Sequence, residues 1–516
     1  MDAVIRHFWS LYLDYLKDFE EIKYKGYSLT YLCGFHSFVL NNRRVWDKLG
    51  NPSFTDHIKR RINDPKEIQE AYDNYYQQHT RKEQVDHTEG RVVIHVDKLL
   101  RFPALTFLKY FNPDSTVQLK LKGTSRKHII ANHATHKKAN KAGSKNKFKK
   151  RSKKTAAIDK SLAKNRLIRQ QKLAKTNRLL SRIPSYFIFD YKKDMDEEVK
   201  KVQEQARKMM QLYQSHHLYG DEEFQKWFFI KIRAVINYLE MYKGFLNDVH
   251  ASCIILSNTN DYKNRILALI AAEKGIPTIC MQHGIISSEI GYTPKIAKID
   301  AVYGEFEIDW FTKRGVTEGT FEIIGHPRFD QVKTRPKVPE SKFHKTLETD
   351  PKKKTIMIAV RGNIDLDNWR RLITKISSEY NMNILIKNYP TKAPHPLTKE
   401  FDFVYPTKDY NIYDMFPHVD AVVTYPSTVG LEAMLANRPV FILNKYFDGY
   451  TGYYDSLGEL AQTDPEKLAE VIIRYFKDSR FQKYADQIIC DFLGFAYPNQ
   501  GKSGARLKQL INRLRS

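Results

Sequence analysis

Between Ala421 and Asn444 the chain reads AVVTYPSTVGLEAMLANRPVFILN: an apolar run, a polar turn, a short helix-forming run and a second apolar run. The turn is Tyr425-Pro426-Ser427-Thr428, and the helix is expected to open at Val429. A small-residue turn feeding a helix N-terminus gathers unpaired backbone N–H groups and the positive end of the helix dipole, which suits a phosphate. Glu432 follows one turn later, where a carboxylate on a wet helix face can accept hydrogen bonds from a ribose diol. The same residues also describe an ordinary strand–turn–helix with Ser427 as N-cap and Glu432 as dipole partner. A second centre is TICMQHGII, Thr278 to Ile286, which sets Gln282, His283 and Gly284 at the end of an expected strand. An imidazole there can serve as a general base near neutral pH, or simply cap the next element.

Other strand ends carry similar turns. Gly304-Glu305 is one, and Gly325-His326-Pro327-Arg328 offers a guanidinium suited to phosphate or carboxylate. Arg361-Gly362-Asn363 can present backbone N–H groups to an anion, and Lys387-Asn388-Tyr389-Pro390 closes a further strand. Asp194-Met195-Asp196 and Asp365-Leu366-Asp367 match a DxD pattern, but such triplets are common in charged loops, so neither a metal nor a cofactor is expected. No GxGxxG follows the early strands and no GxxxxGK[ST] occurs, which argues against dinucleotide and P-loop readings.

These turns need strands to hold them at one edge. Apolar runs fall at 92–96, 117–121, 186–190, 253–256, 278–281, 301–303 and 321–324. A second series falls at 355–360, 383–387, 403–405, 421–424 and 440–443. Helical runs are clearest at Tyr262 to Lys274 and Asn368 to Glu379. Short apolar strands separated by helices predict parallel sheets covered on both faces. The expected fold is α/β, two Rossmann-like doubly wound domains with ligands bound in the cleft between the carboxyl ends of their sheets. The boundaries expected are an N-terminal helical region (1–90), a first Rossmann-like domain (91–333) with a basic insertion (126–178), a second Rossmann-like domain (334–490) and a C-terminal closing helix (491–516). The Pro- and Lys-rich stretch Thr334 to Lys354 shows no periodicity and is expected to be a linker. In the first region, Ile5, Phe8, Trp9, Tyr12, Tyr15, Leu16 and Phe19 recur at helical spacing, so an aromatic face packs on its own domain or touches a membrane.

A chain of 516 residues with 42% hydrophobic content is long enough for two or three cored domains. Its longest apolar run, Ile266 to Ala272, is far below the roughly 18 residues of a membrane span. The four cysteines are scattered without a CxxC, which argues against a zinc or disulfide framework and for a reducing, cytoplasmic compartment. Arg126 to Arg178 holds 19 Lys or Arg against one acid and so contributes +18 of the net +26. That segment has too few large apolar residues to bury a core, apart from some helical spacing after Ile158, and is expected to lie exposed. An anionic membrane surface at the inner face of the cell membrane is its expected partner, with nucleic acid as the alternative from another class; against the latter, only Phe148 offers a stacking ring in the most basic stretch.

Ser427 to Leu443, STVGLEAMLANRPVFIL, resembles the NSTVGLEAL–GKPV element of capsular polysaccharide synthesis proteins. MQHGI, GEFEIDWFTKRGV and IGHPRFD, within Met281 to Asp330, resemble the QHG and G-[NH]-P-R-x-D elements of surface-polysaccharide transferases with the GT-B fold. Similarity extends distantly to CDP-glycerol polyol-phosphate transferases and to non-hydrolysing UDP-GlcNAc 2-epimerases. The resemblance implies metal-independent glycosyl transfer from a nucleotide sugar to a polysaccharide or lipid-linked acceptor. Ser427, Thr428 and Glu432 would then hold donor phosphate and ribose, with Arg361, Gly362 and Asn363 beside them. His283 would be the base, and Gln282, Gly284, Glu305, His326 and Arg328 would line the acceptor or phosphate side. A CDP-polyol phosphotransferase of teichoic-acid type is the alternative enzyme reading; a 2-epimerase lacks matching acidic residues, and an inactive scaffold is the remaining reading. The chain departs from many relatives where Asn388-Tyr389-Pro390 replaces x-His-Pro and where Pro426 replaces Asn or Ser.

Overall fold

The computed structural model describes residues 2–81, 89–121, 181–334, 338–389 and 393–515. The basic insertion 126–178 and Pro390 lie outside the described residues. Helix α1 (Ala3–Asp18) begins where Asp2 accepts a 2.8 Å hydrogen bond from Val4 N. Its aromatic stripe is buried: Tyr15 stacks on Phe35 at 4.4 Å, and Phe19 meets Phe228 edge-on at 5.3 Å. The region also contains a short hairpin, β1 (Lys23–Tyr24) and β2 (Tyr27–Ser28), three short helices between residues 35 and 55, and helix α2 (Lys66–His79). Its core is continuous with that of the first sheet, through Phe224, Phe228 and Leu239 of a long helix that the strand-focused reading passed over.

The first sheet holds β3 (Arg91–Val96), β4 (Thr116–Lys120), β5 (Ser185–Phe187), β6 (Ala251–Leu256), β7 (Thr278–Met281), β8 (Ile299–Val302) and β9 (Phe321–Ile323). All its pairings are parallel, in the order β5-β4-β3-β6-β7-β8-β9. The covering helices include α3 (Ala104–Tyr110), α4 (Asp196–Leu212), α5 (Glu222–Asp248), α6 (Tyr262–Glu273) and α7 (Glu305–Thr312).

Helix α8 (Glu340–Leu347) occupies the stretch read as a linker, with Phe343 and Leu347 buried in the second core. Two apolar residues one turn apart are too few to register as a period, yet they suffice to seat a helix of this length. The second sheet follows as β10 (Thr355–Arg361), β11 (Asn383–Tyr389), β12 (Val404–Pro406), β13 (Ala421–Thr424), β14 (Val440–Leu443) and the unanticipated edge strand β15 (Ala461–Gln462). It too is parallel, in the order β12-β11-β10-β13-β14-β15. Helices α9 (Leu366–Glu379), α10 (Thr428–Leu435), α11 (Pro465–Lys477) and α12 (Ser479–Ala496) belong to this half. Helix α13 (Ser503–Arg515) returns to the first sheet: Asp330 accepts from Ser503 N and Gly504 N at 3.1 Å each, and Leu507, Leu510 and Ile511 pack with Val92, Ile94 and Cys253.

The chain is thus an α/β protein of two doubly wound parallel-sheet domains with an N-terminal helical region. Strand order reverses between β3 and β6 in one sheet and between β10 and β13 in the other, the crevices where such sheets receive ligands. Among the described residues no helix is long and apolar enough to cross a membrane.

Candidate functional site

In the second sheet the register sets Ala359 opposite Thr424, so the turns after β10 and β13 are neighbours. The turn into α10 is pinned from below by Tyr454, whose hydroxyl donates to Ser427 O at 2.7 Å and accepts from Leu431 N at 3.0 Å. Gly430 leaves the space this needs, because a Cβ there would sit 2.8 Å from the Tyr454 hydroxyl. The helix opens at Thr428 rather than Val429, and Ser427 makes no side-chain cap; its hydroxyl pairs instead with Thr424 Oγ1 at 3.1 Å. Ordinary N-capping therefore does not account for Ser427. Arg361 and Asn363 are exposed at the rim. Gly362, at φ 60°, donates its N–H to Tyr389 O and Asn388 Oδ1 at 3.0 Å each, so that amide is already engaged and does not serve an anion.

Glu432 is not on a wet face: it is 6% exposed. Arg328 Nη2 of the first half approaches Glu432 Oε1 at 3.4 Å, and the Tyr413 hydroxyl is also bonded to the carboxylate. Burial pushes the Glu432 carboxyl above its usual range, with Arg328 and Tyr413 pulling the other way. Arg328 Nη1 donates to His283 O at 3.2 Å, so one guanidinium spans the two residues expected to act as base and ribose holder.

The His283 turn meets the Thr428 turn across the cleft, where Ile285 N donates to Thr428 Oγ1 at 3.2 Å. Gly284 matters here, since a Cβ would come within 3.1 Å of Thr428 Oγ1. The His283 ring lies parallel to Tyr292 at 5.1 Å and is half-buried. Burial pulls its pKa down to about 4, helped by Lys295 and Arg328 and opposed by the Ser257 carbonyl and Asp97. The ring is neutral at physiological pH, and the burial and cations that keep it so also make it a weaker base than a free imidazole.

Of the residues expected at the acceptor or phosphate side, Gln282 and His326 are engaged inside the protein and Glu305 is exposed. Gln282 spends its amide inside the protein, donating to Glu307 Oε1 and Gly284 O at 2.8 Å each and accepting from Tyr303 N at 3.1 Å. Glu305 is exposed, whereas Glu307, fully buried two residues on, caps Gly304 N at 3.0 Å and holds Gln282. His326 is fully buried against Phe102 and Phe329; its Nδ1 accepts from Arg328 N at 3.1 Å and its backbone N–H donates to Tyr497 at 2.8 Å. It shapes the loop that aims Arg328. The DxD carboxylates are likewise engaged: Asp196 with Arg233, Asp194 with Asp196 N, Asp365 with Lys445, Asp367 with Arg370. Glu307, Tyr292, Tyr413 and Tyr454 escaped sequence reasoning because each reaches the site from a turn or helix whose place depends on strand order.

Residues 383–471 match the capsule polysaccharide biosynthesis protein family. The matched span contains the whole Ser427–Leu443 element on which the resemblance rested. No curated protein matches the chain. Among solved structures, the wall teichoic acid polymerase TagF is similar at 17% identity over 51% of this chain and 73% of its own, with a TM-score of 0.34. UDP-GlcNAc 2-epimerase from Neisseria meningitidis bound to UDP-GlcNAc is similar at 10% identity over 82% of this chain and 99% of its own, with a TM-score of 0.48. The S. aureus MnaA–UDP co-structure is similar at 13% identity over 53% and 79%, with a TM-score of 0.40.

Proposed function

We propose that the protein is a metal-independent glycosyltransferase of capsule or other surface-polysaccharide synthesis. The observation that carries this reading is the meeting of the His283 and Thr428 turns through the Ile285–Thr428 hydrogen bond, each turn lying at the carboxyl end of its own parallel sheet. A donor seated on the α10 N-terminus would have its phosphates on the helix dipole, with Arg361 at the exposed rim. Glu432 would take ribose hydroxyls with the lone pairs that Arg328 and Tyr413 leave, a carboxylate having about four. His283 removes the proton of the acceptor hydroxyl as its oxygen attacks the anomeric carbon, and the bond from that carbon to the nucleotide phosphate breaks. The nucleotide leaves with the electron pair, stabilised by the helix N-terminus. The basic segment 126–178 would hold the enzyme at an anionic inner-leaflet surface, which sedimentation with anionic vesicles, with and without that segment, tests.

A thermal-stability screen with UDP, CMP, CDP, GDP and their sugars tests the nucleotide reading; at 100 times Kd a ligand adds about 2.7 kcal/mol of stability. Product analysis then separates sugar transfer from polyol-phosphate transfer, using CDP-glycerol against nucleotide sugars in excess EDTA. His283→Ala should lower turnover by on the order of 10²–10⁴ while leaving nucleotide stabilisation intact. Failure of every nucleotide to stabilise the protein would overturn the reading.

A further inference from the structure

The crevice of the first sheet holds a carboxylate that the chemistry above does not use. Asp97 follows the end of strand β3 and Ser257 the end of strand β6, on either side of the point where strand order reverses. Asp97 Oδ1 accepts from Leu99 N at 2.8 Å and Leu100 N at 2.9 Å; its Oδ2 accepts from the Ser257 hydroxyl and, at 3.4 Å, from Asn264 Nδ2. The direction of the Ser257 bond is settled by its other neighbours. Asn258 Nδ2 and Asn264 Nδ2 both donate to Ser257 Oγ, at 3.1 and 3.3 Å, so the hydroxyl proton is left for Asp97. Ser257 is fully buried and lines the same small cavity as His283, and its carbonyl lies against the His283 ring.

We infer that Asp97, acting through Ser257, is the positioning residue for His283: it holds the Ser257 carbonyl that selects which ring nitrogen carries the proton, and it faces the imidazolium that forms when the other nitrogen takes one. This rests on the reading of His283 as the base. A carboxylate that orients a base through an intervening group is the generalised logic of an oriented nucleophile–base pair. The groups around the ring make the charge useful. Lys295 and Arg328 disfavour a proton on His283, Tyr292 covers one face of the ring, His326 lies nearby, and Asp97 is the acid that opposes the two cations.

The test needs no substrate. In full-length protein labelled with ¹⁵N-histidine, the His283 ring signals are assigned by their loss in His283→Gln. One tautomer should dominate at neutral pH in the native protein. Asp97→Asn should lower the His283 titration midpoint by about one unit, the low end for loss of a nearby opposite charge. Ser257→Ala keeps Asp97 and its bonds to Leu99 and Leu100, removes the linking hydroxyl together with the bonds it accepts from Asn258 and Asn264, and should give mixed tautomers; it also serves if Asp97→Asn fails to fold. A native tautomer and midpoint in either folded variant would overturn the inference and leave Asp97 as the cap of residues 98–100. Because the readout is independent of turnover, that result would leave the transferase reading standing, and absence of nucleotide binding would leave the positioning result standing.

Discussion

Glu307 carries the largest resolved perturbation of a carboxylate in the first half of the site. Burial raises it from its ordinary 4.5 to about 8, although the N–H groups of Gln282 and Gly304 pull it down. A raised acid pKa means that the folded protein keeps a proton that the unfolded chain gives up. The stability linked to that proton is present in full below pH 4.5 and is lost as pH rises through about 8. Glu307→Gln stays neutral throughout, so its denaturant midpoint should fall less steeply than the native one between those limits. Parallel midpoint–pH curves for the two proteins would show that Glu307 is ionised in the folded state across this range. The sequence displayed Glu305 and Glu307 alike in GEFEID; only α7 decides which enters the core. The residue after the helix cap faces out, and the one two further on turns inward to its own N-terminus.

At the scale of elements, the proposed phosphate site depends on how the first turn of α10 is held. One hydroxyl, that of Tyr454, bonds it at two points. Tyr454→Phe leaves Leu431 N and Ser427 O without that partner, which should cost about 1–3 kcal/mol. Gly430→Ala should destabilise by about 1–3 kcal/mol through overpacking against the same hydroxyl. The two are coupled. In a Tyr454→Phe background the Ala methyl has more room and gains about 1 kcal/mol of helix propensity, so the second substitution should cost far less than in the native protein. Additive losses in urea unfolding would place the constraint elsewhere. The strands themselves were legible: Thr278–Met281, Ala421–Thr424 and Val440–Leu443 match the apolar runs residue for residue, since strands buried on both faces need continuous apolar sequence. Helix α8 and strand β15 were not, because Phe343, Leu347 and the two-residue β15 draw their stability from the core they join and not from a pattern of their own.

For the whole molecule, what sequence could not supply was which turns face each other. Arg328 follows β9 and Glu432 lies in α10, 104 positions apart, and each reads as a free functional group until the sheets are docked. In the docked structure they form a buried pair between the two halves, with side chains 6% and 8% exposed. Removing one partner of such a pair strands a charge in low dielectric and typically costs about 3–5 kcal/mol. The 3.4 Å approach lacks hydrogen-bond geometry, since Arg328 Nη2 has no bonding partner, which places the expected loss near the bottom of that range. Glu432→Ala should therefore destabilise the protein by about 3 kcal/mol, an outcome opposite to that of a wet ribose ligand, whose removal spares the fold. Glu432→Leu combined with Arg328→Met removes both charges and keeps the volume, and should recover most of the loss. The same double variant should lose nucleotide-dependent stabilisation if Glu432 also holds ribose, because neither apolar side chain can accept its hydroxyls. Stability and ligand response thus separate the pairing with Arg328 from the proposed contact with ribose. A Glu432→Ala protein of native stability would show that the other contacts between the halves suffice to hold them, among them Glu289 N to Gly449 O at 2.8 Å and Ile285 N to Thr428 Oγ1 at 3.2 Å.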